Sequence, residues 1–269
     1  AYEADLIVPI NRVKLHTDFV GPIQSGLCKM LVIGLGNHKG CSAVHEEAPE
    51  VFAGAIEETA RLILQKAPVG FGIAILENAY DKTYAVEAVP AEHLVEREKE
   101  LVQIAKGNMP YIMLDEADVI VCGAIGKDIS GAGFDPNILG RSSVLKQFVL
   151  HIPRYQRLVL CDVTPASHGN GIGVGLFDVI TKKVAEQLDL ESMYANAIAC
   201  NCLGDASVPC TVDDEETAIR VALKCCRNID RDHPRIIRIQ NTLHLGEIEV
   251  SEALLDAVRA DSRMSLIEN

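Results

Sequence analysis

Short apolar runs rich in β-branched residues alternate along the chain with longer stretches of helical spacing. A short β-branched run bounded by polar residues is typical of a strand that a parallel sheet buries on both faces. We therefore predict buried strands at residues 5–10, 116–123, 157–163 and 235–239. Two further runs, 71–77 and 83–89, flank a polar turn and predict a hairpin.

The spacing of apolar residues in the longer stretches predicts helices. These are expected at residues 27–35, 44–66, 90–105, 176–188, 214–228 and 250–259. In the helix predicted at 44–66, the expected inner face consists of Val51, Ile56 and residues 62–64. In the helix predicted at 90–105, the Glu and Arg side chains are expected on the outer face. Together the elements predict an α/β fold with mainly parallel sheets.

The sequence Asn108-Met-Pro110 interrupts the helical pattern and predicts a boundary between two α/β domains, 1–112 and 113–269. In the second domain, predicted strands are followed by the glycine-rich segments 126–137 and 167–175. In open α/β sheets, loops at the carboxyl ends of parallel strands are the usual place for a ligand. We therefore expect both loops to face a ligand, although their glycines would equally suit tight turns alone.

The charge of the chain narrows the choice of partner. With 25 Lys and Arg against 38 Asp and Glu, the formal net charge is −13 and the pI is near 5. This disfavours nucleic acid and anionic membranes, whose phosphates are bound by basic side chains, and favours a small molecule. No apolar run approaches the roughly 20 residues of a membrane span, and no signal-peptide pattern is present, so we expect a cytoplasmic protein.

Nine cysteines are an odd number, and several lie in strand-like runs, as do Cys122 and Cys161. Their spacing lacks the C-x-x-C pairs of a zinc or iron–sulfur site. We interpret them as reduced structural thiols.

The strongest candidate for a functional site is the stretch 11–45, which places His16, Lys29 and His45 among glycines and apolar residues. An apolar setting around Lys29 would favour the neutral amine, which serves as a nucleophile or covalent anchor. The same setting also suits a lysine whose stem lies on the core while its ammonium reaches water. The two histidines could carry protons or bind a metal, and single histidines can also be structural.

The order of residues in this stretch resembles the core segment of the nickel-pincer lactate racemase family. It runs through a histidine, Phe19-Val-Gly21, Ser25-Gly26, a lysine, an apolar run, Gly34-Leu-Gly36 and a second histidine. Weaker similarity at Asp118-Val-Ile-Val, at residues 131–141 and at Val159-Leu-Cys-Asp extends it over nearly the whole chain.

The resemblance implies that Lys29 holds the nickel-pincer nucleotide covalently through a thioamide, with Ser25 and Gly26 in the cofactor site. It implies that His45 is the nickel ligand, a role that neutral imidazole suits, and that His16 is the acid/base on the substrate hydroxyl. In that family a pyridinium carbon of the cofactor accepts a hydride from the carbinol carbon of the substrate, and its return to the other face inverts the centre.

For the substrate, the resemblance implies contacts from Asn137 and Arg141 in the second domain. The Gln and Lys of the family's substrate loop have no counterpart here, and Arg141 is the cation nearest to the corresponding position. The second glycine and the proline of the pattern are Leu27 and Ile33, and the first histidine and the lysine lie three residues further apart than in the lactate racemases. These departures indicate a divergent branch with a different substrate.

The family's earlier part, with an Asp-x-Thr-Arg-Pro motif and a further histidine, has no counterpart here. The chain is therefore expected to be the C-terminal two-thirds of a longer protein and need not be active alone. Residues 1–112 would be the remainder of a cofactor-binding domain, and 113–269 a domain that closes the substrate cleft. A homo-oligomer and a separate N-terminal partner segment are both compatible with this prediction.

Our main hypothesis is a nickel-dependent racemase or epimerase of a 2-hydroxy acid or sugar acid. The alternative is a non-catalytic α/β module that binds a small phosphate- or carboxylate-bearing ligand through the loops at Gly126 and Gly169. A hydride-transfer enzyme with a free dinucleotide is disfavoured, because neither loop matches G-x-G-x-x-G.

Overall fold

The computed structural model describes residues 3–36 and 49–267. The chain divides into two compact units, of which the first comprises Ala1–Pro110 and Val144–Val149. The second comprises Tyr111–Ser143 and Leu150–Asn269. The roles that the resemblance gives to domains 1–112 and 113–269 stay predictions.

The first unit contains a three-stranded sheet in the order β1-β2-β3. Strand β1 (Ile10–Arg12) pairs in parallel with β2 (Phe71–Glu77), and β2 pairs antiparallel with β3 (Thr83–Pro90). The predicted hairpin is therefore confirmed. Alternation along β2 places Ala74 and Leu76 in the core, where they are 1% and 3% exposed.

The first predicted strand, 5–10, differs from the structure. Regular pairing begins only at Ile10, and Ile7 forms an isolated bridge with Val69. Leu6 and Ile10 are more than half exposed, whereas Ile7 and Pro9 are not. The run Leu-Ile-Val-Pro-Ile thus alternates between two environments, so the expectation of burial on both faces is wrong.

Three helical segments complete the first unit. Helix α1 (Leu27–Lys29) continues directly into a π-helical turn, Met30–Gly34. Helix α2 spans Pro49–Lys66, and a 3-10 turn, Ala91–His93, leads into α3 (Leu94–Asn108). The predicted start of α2 at residue 44 lies outside the described residues.

The inner faces of α2 and α3 differ from those predicted. In α2, Ile56 is fully buried as expected, but Val51 and Leu62 are about half exposed, because Phe52, Ala53 and Ala60 complete the stripe that contains Ile56. In α3, Glu98 is 0% exposed, so the expectation that the acidic side chains point outward is wrong for this residue.

The second unit contains a six-stranded sheet in the order β7-β6-β5-β4-β8-β9. Every neighbouring pair is parallel except β8 with β9, which confirms the α/β fold with mostly parallel strands. The strands are β4 (Val119–Cys122), β5 (Arg157–Leu160), β6 (Val179–Thr181), β7 (Cys210–Val212), β8 (Ile236–Ile239) and β9 (Glu249–Val250). The α-helices are α4 (Pro136–Leu139), α5 (Lys182–Gln187), α6 (Leu190–Ala199), α7 (Glu215–Lys224) and α8 (Leu255–Ala260). The 3-10 turns are Pro165–Ser167, Val174–Leu176, Leu203–Ala206 and Glu252–Leu254.

The helix predicted at 176–188 is in fact a strand followed by a shorter helix. Val179, Ile180 and Thr181 form β6, since β-branched side chains fit a pleated and buried strand. The Thr181 hydroxyl then caps α5 by accepting from Val184 N at 3.4 Å. Helix α6 and strand β7 lie in segments for which no element was predicted.

Helix α7 covers the middle of this sheet. Its Ala218 and Ala222 pack against Val119, Val121 and Val159. No helix among residues 3–36 and 49–267 has both the length and the apolar character that a bilayer crossing needs.

Candidate functional site

The loop that carries His16 is closed at its base by two backbone hydrogen bonds. Lys14 N donates to Ser25 O at 2.9 Å, and Ser25 N donates to Lys14 O at 3.2 Å. The chain leaves β1, makes this loop and enters α1 at Leu27. Closure of the loop therefore places His16 beside the first turn of α1, where Lys29 lies.

His16 is held by three contacts, one to its backbone and two to its ring. Its backbone N–H donates to Gln24 Oε1 at 2.8 Å, and its ring stacks on Phe19 with 4.3 Å between centroids. Its Nδ1 lies 3.0 Å from Asp18 N, which donates to it, whereas the Asp18 carboxylate, at 4.0 Å, is too distant for a hydrogen bond. Because Nδ1 accepts, the neutral ring carries its proton on Nε2.

Lys29 meets His16 at that second nitrogen. The Lys29 Nζ contacts His16 Nε2 within hydrogen-bonding reach, and both side chains are partly buried. When Nε2 carries the proton, it donates to Nζ, and only a neutral amine has the lone pair to accept it. With this tautomer of His16, the contact pairs a donating Nε2–H with a neutral Lys29 amine, which is the form that acts as a nucleophile.

The start of α1 is held by two side chains from elsewhere in the first unit. Asn11 Nδ2 donates to Gly26 O at 2.9 Å, and Cys28 N donates to Glu98 Oε2 at 2.9 Å. The other oxygen of this carboxyl, Oε1, has no hydrogen-bond partner among the described residues. A side chain at Gly26 would displace Glu98, since an added Cβ would lie 2.6–2.8 Å from the carboxyl atoms of Glu98.

Burial changes the ionisation of both groups at this contact. Desolvation raises the pKa of Glu98 to about 7, against the hydrogen bonds from the backbone N–H groups of Cys28 and Leu27, which lower it. Desolvation, together with the Glu98 carboxylate, raises the pKa of the Cys28 thiol far above its usual range. Cys28 is therefore a protonated, unreactive thiol although it is adjacent to Lys29.

Glu98 and Gln24 are the residues of this arrangement that the sequence patterns did not identify. A signal for Glu98 was present, because it lies four residues after Leu94 and three before Leu101, on the apolar stripe of α3. A carboxylate on such a stripe is unusual and indicates a specific partner. Gln24 gave no comparable signal.

The other residues predicted for the cofactor site fall in two groups. Ser25 and Gly26 lie directly before α1, in the arrangement that contains Lys29 and His16. His45 lies outside the described residues. Within residues 3–36 and 49–267, no group of three His, Cys, Asp or Glu side chains is placed to hold a metal. The role of His45 as a nickel ligand stays a prediction.

The predicted substrate residues both belong to the second unit. Asn137 is buried in α4, where its backbone N donates to Asp135 Oδ1 at 2.9 Å. Arg141 donates to Asp178 Oδ2 at 2.7 Å and to Leu176 O at 3.0 Å, and its guanidinium lies 5.4 Å from the centre of the Tyr155 ring. Arg141 thus has a structural role, and the substrate contacts of both residues stay predictions.

The two glycine loops of the second unit contact each other. Lys127 N donates to Ser167 Oγ at 2.7 Å, and Gly126 N donates to Gly133 O at 2.7 Å. Gly173 N donates to Asp205 O at 3.0 Å. These three backbone N–H groups are therefore already used within the protein and are not available to a phosphate or carboxylate. That these loops face a ligand stays a prediction.

Comparison of the chain with protein-family models, with curated proteins and with solved structures finds no match. The proposed chemistry therefore rests on the arrangement around Lys29 and on the resemblance of the stretch that contains it.

Proposed function

We propose that this chain is the lysine-bearing part of an isomerase, a racemase or epimerase of a 2-hydroxy acid or sugar acid that uses a Lys29-tethered nickel-pincer nucleotide. The contact between Lys29 Nζ and His16 Nε2 is the observation that carries the proposal. It joins the two residues to which the family resemblance gives the covalent and acid/base roles. A solvated lysine with its head in water would not be held in this way.

The residues present fit the cofactor. Lys29 offers an amine for the covalent link, and its contact with His16 places a proton carrier beside that amine. Lys29 would hold the nucleotide, and His45 would bind its nickel. When bound, this cofactor supplies a hydride acceptor for the substrate carbinol carbon.

His16 would handle the proton of the substrate hydroxyl. In the described geometry Nε2 carries the proton and is a donor, which suits the return of a proton to the substrate oxygen. Removal of the hydroxyl proton needs the other tautomer, with the hydrogen on Nδ1. That tautomer requires the Asp18 N–H, which here donates to Nδ1, to move away from the ring.

The proposal is tested by the mass of Lys29. We expect this protein, co-expressed with cofactor-synthesis proteins, to carry the mass of the cofactor on the peptide that contains Lys29. Lys29→Ala should abolish this adduct, whereas Lys14→Ala, which changes an exposed lysine in the same stretch, should retain it. Absence of any adduct at Lys29 under these conditions would refute the proposal.

A further inference from the structure

Glu98 is a carboxyl group placed where an apolar side chain would be expected. It occupies the middle of the apolar stripe of α3, is 0% exposed and lies 70 residues from its partner Cys28 in the chain. Burial of a carboxyl group costs free energy unless hydrogen bonds compensate for it. An apolar residue would fill this position at lower cost, so the carboxyl must contribute something that an apolar residue cannot.

The contacts of Glu98 converge on one turn of backbone. Its Oε2 accepts from Cys28 N, its carboxyl also interacts with the N–H of Leu27, and its atoms fill the space that a side chain at Gly26 would take. These are the first amides of the helical segment 27–34, which have no partner within the helix. Glu98 therefore acts as an N-terminal cap supplied by a different helix.

The residue that follows this cap is Lys29. Because Cys28 and Lys29 are adjacent, any shift of the backbone at Cys28 moves the Lys29 side chain relative to His16. The loop that carries His16 is held separately, through Gln24 and the Lys14 and Ser25 backbones. The contact between Nζ and Nε2 thus depends on two supports, and Glu98 provides the one on the lysine side.

We propose that Glu98 is a positioning residue for Lys29, whose carboxyl fixes the first turn of α1 and so brings the amine to His16 Nε2. This inference rests on the proposed function only in treating Lys29 as the reactive group. A Glu98 variant should therefore alter the chemistry of the Lys29 amine, even though Glu98 itself does not react.

The test measures acetylation of Lys29 by an N-hydroxysuccinimide ester in the full chain, as a function of pH and by peptide mass spectrometry. The exposed Lys66 of α2 serves as the internal reference. In Glu98→Ala we expect the rate at Lys29 relative to Lys66 to fall about tenfold at neutral pH, since misplacement of a reacting group by an ångström can cost roughly 100-fold. The pH midpoint of the reaction at Lys29 should also change, because the amine would no longer meet His16 Nε2.

Three further variants separate positioning from simple loss of stability. Glu98→Gln keeps an oxygen that can accept from Cys28 N. Its acetylation rate at Lys29 relative to Lys66 should therefore stay within about threefold of the wild-type value, a change of less than 1 kcal/mol. Leu101→Ala truncates a fully buried residue of the same helix and should leave the pH midpoint unchanged. Glu100→Gln, an exposed neighbour, should behave as the wild type.

A folded Glu98→Ala protein with the wild-type pH midpoint at Lys29 would overturn the inference, as would an equal shift in Leu101→Ala. If Glu98→Ala does not fold, Glu98→Asp withdraws the carboxyl by one methylene, and an unchanged midpoint in that variant counts equally against it. This acetylation experiment is independent of the mass measurement that tests the proposed function. A Lys29 that depends on Glu98 but never gains the cofactor mass would refute the proposed function alone.

Discussion

Gly26→Ala should destabilise the protein by about 2–5 kcal/mol. The added Cβ would lie 2.6 Å from Glu98 Cδ and 2.7 and 2.8 Å from its two oxygens, so the carboxyl would have to move. Overpacking of this kind costs about 1–3 kcal/mol, and loss of the hydrogen bond from Cys28 N to a buried carboxyl adds about 1–2 kcal/mol. The φ of Gly26 is 176°, which any residue adopts, so backbone strain does not contribute.

A double-mutant cycle with Glu98→Ala isolates this contact. Truncation of Glu98 removes all three atoms that the new Cβ would meet, so Gly26→Ala should cost little in that background, with a coupling of about 2 kcal/mol. The four proteins are compared by urea unfolding. Gly54→Ala is the control, because its Cβ would meet nothing within 4 Å on the exposed side of α2, and it should stabilise by about 0.5–1 kcal/mol. Equal costs of Gly26→Ala in both backgrounds would refute the reasoning.

The remaining predictions concern charge. The pKa of the Glu98 carboxyl is raised from 4.5 to about 7 in the folded protein, so between these pH values the folded state binds a proton that the unfolded state has lost. The free energy of unfolding should therefore fall by about 3 kcal/mol as the pH rises from 4.5 to above 7. Urea midpoints of the wild type and Glu98→Gln at pH 4.5 and 8 should show that the variant lacks this loss, and parallel pH dependence would contradict it. Arg141→Lys should lower the free energy of unfolding by about 1–3 kcal/mol, since a lysine cannot hold both Asp178 and the Leu176 carbonyl while covering Tyr155. A urea midpoint equal to that of the wild type would mean that this ion pair contributes nothing.

Much of the fold could be predicted because its signals are local. The hairpin of β2 and β3 and the strands β4, β5 and β8 follow from runs of apolar residues bounded by turns. Strand β6 was missed because it has only three residues and joins α5 without a break, so its apolar residues extend the spacing of the helix. Its β-branched composition was the stronger signal, since a strand buried between β5 and β7 favours such residues.

The candidate site was only partly predictable for a related reason. His16 and Lys29 lie within one short stretch, so their types and spacing could be recognised together. The partner of Arg141, Asp178, is 37 residues away, and the partner of Glu98 is 70 residues away. Contacts of this kind depend on how the elements pack, and helical or strand spacing does not encode them.

The π-helical turn after Lys29 gives this region a place where its length can change. Leu35 N donates to Met30 O at 2.9 Å, five residues back, whereas Met30 N donates to Gly26 O, four residues back. A π turn holds one residue more than an α-helical turn. Deletion of one residue within Met30–Gly34 could therefore be absorbed as an ordinary α turn. It would rotate the chain that follows Gly34, yet leave the capped first turn in place. Such a deletion should thus leave the contact between Lys29 and His16 in place.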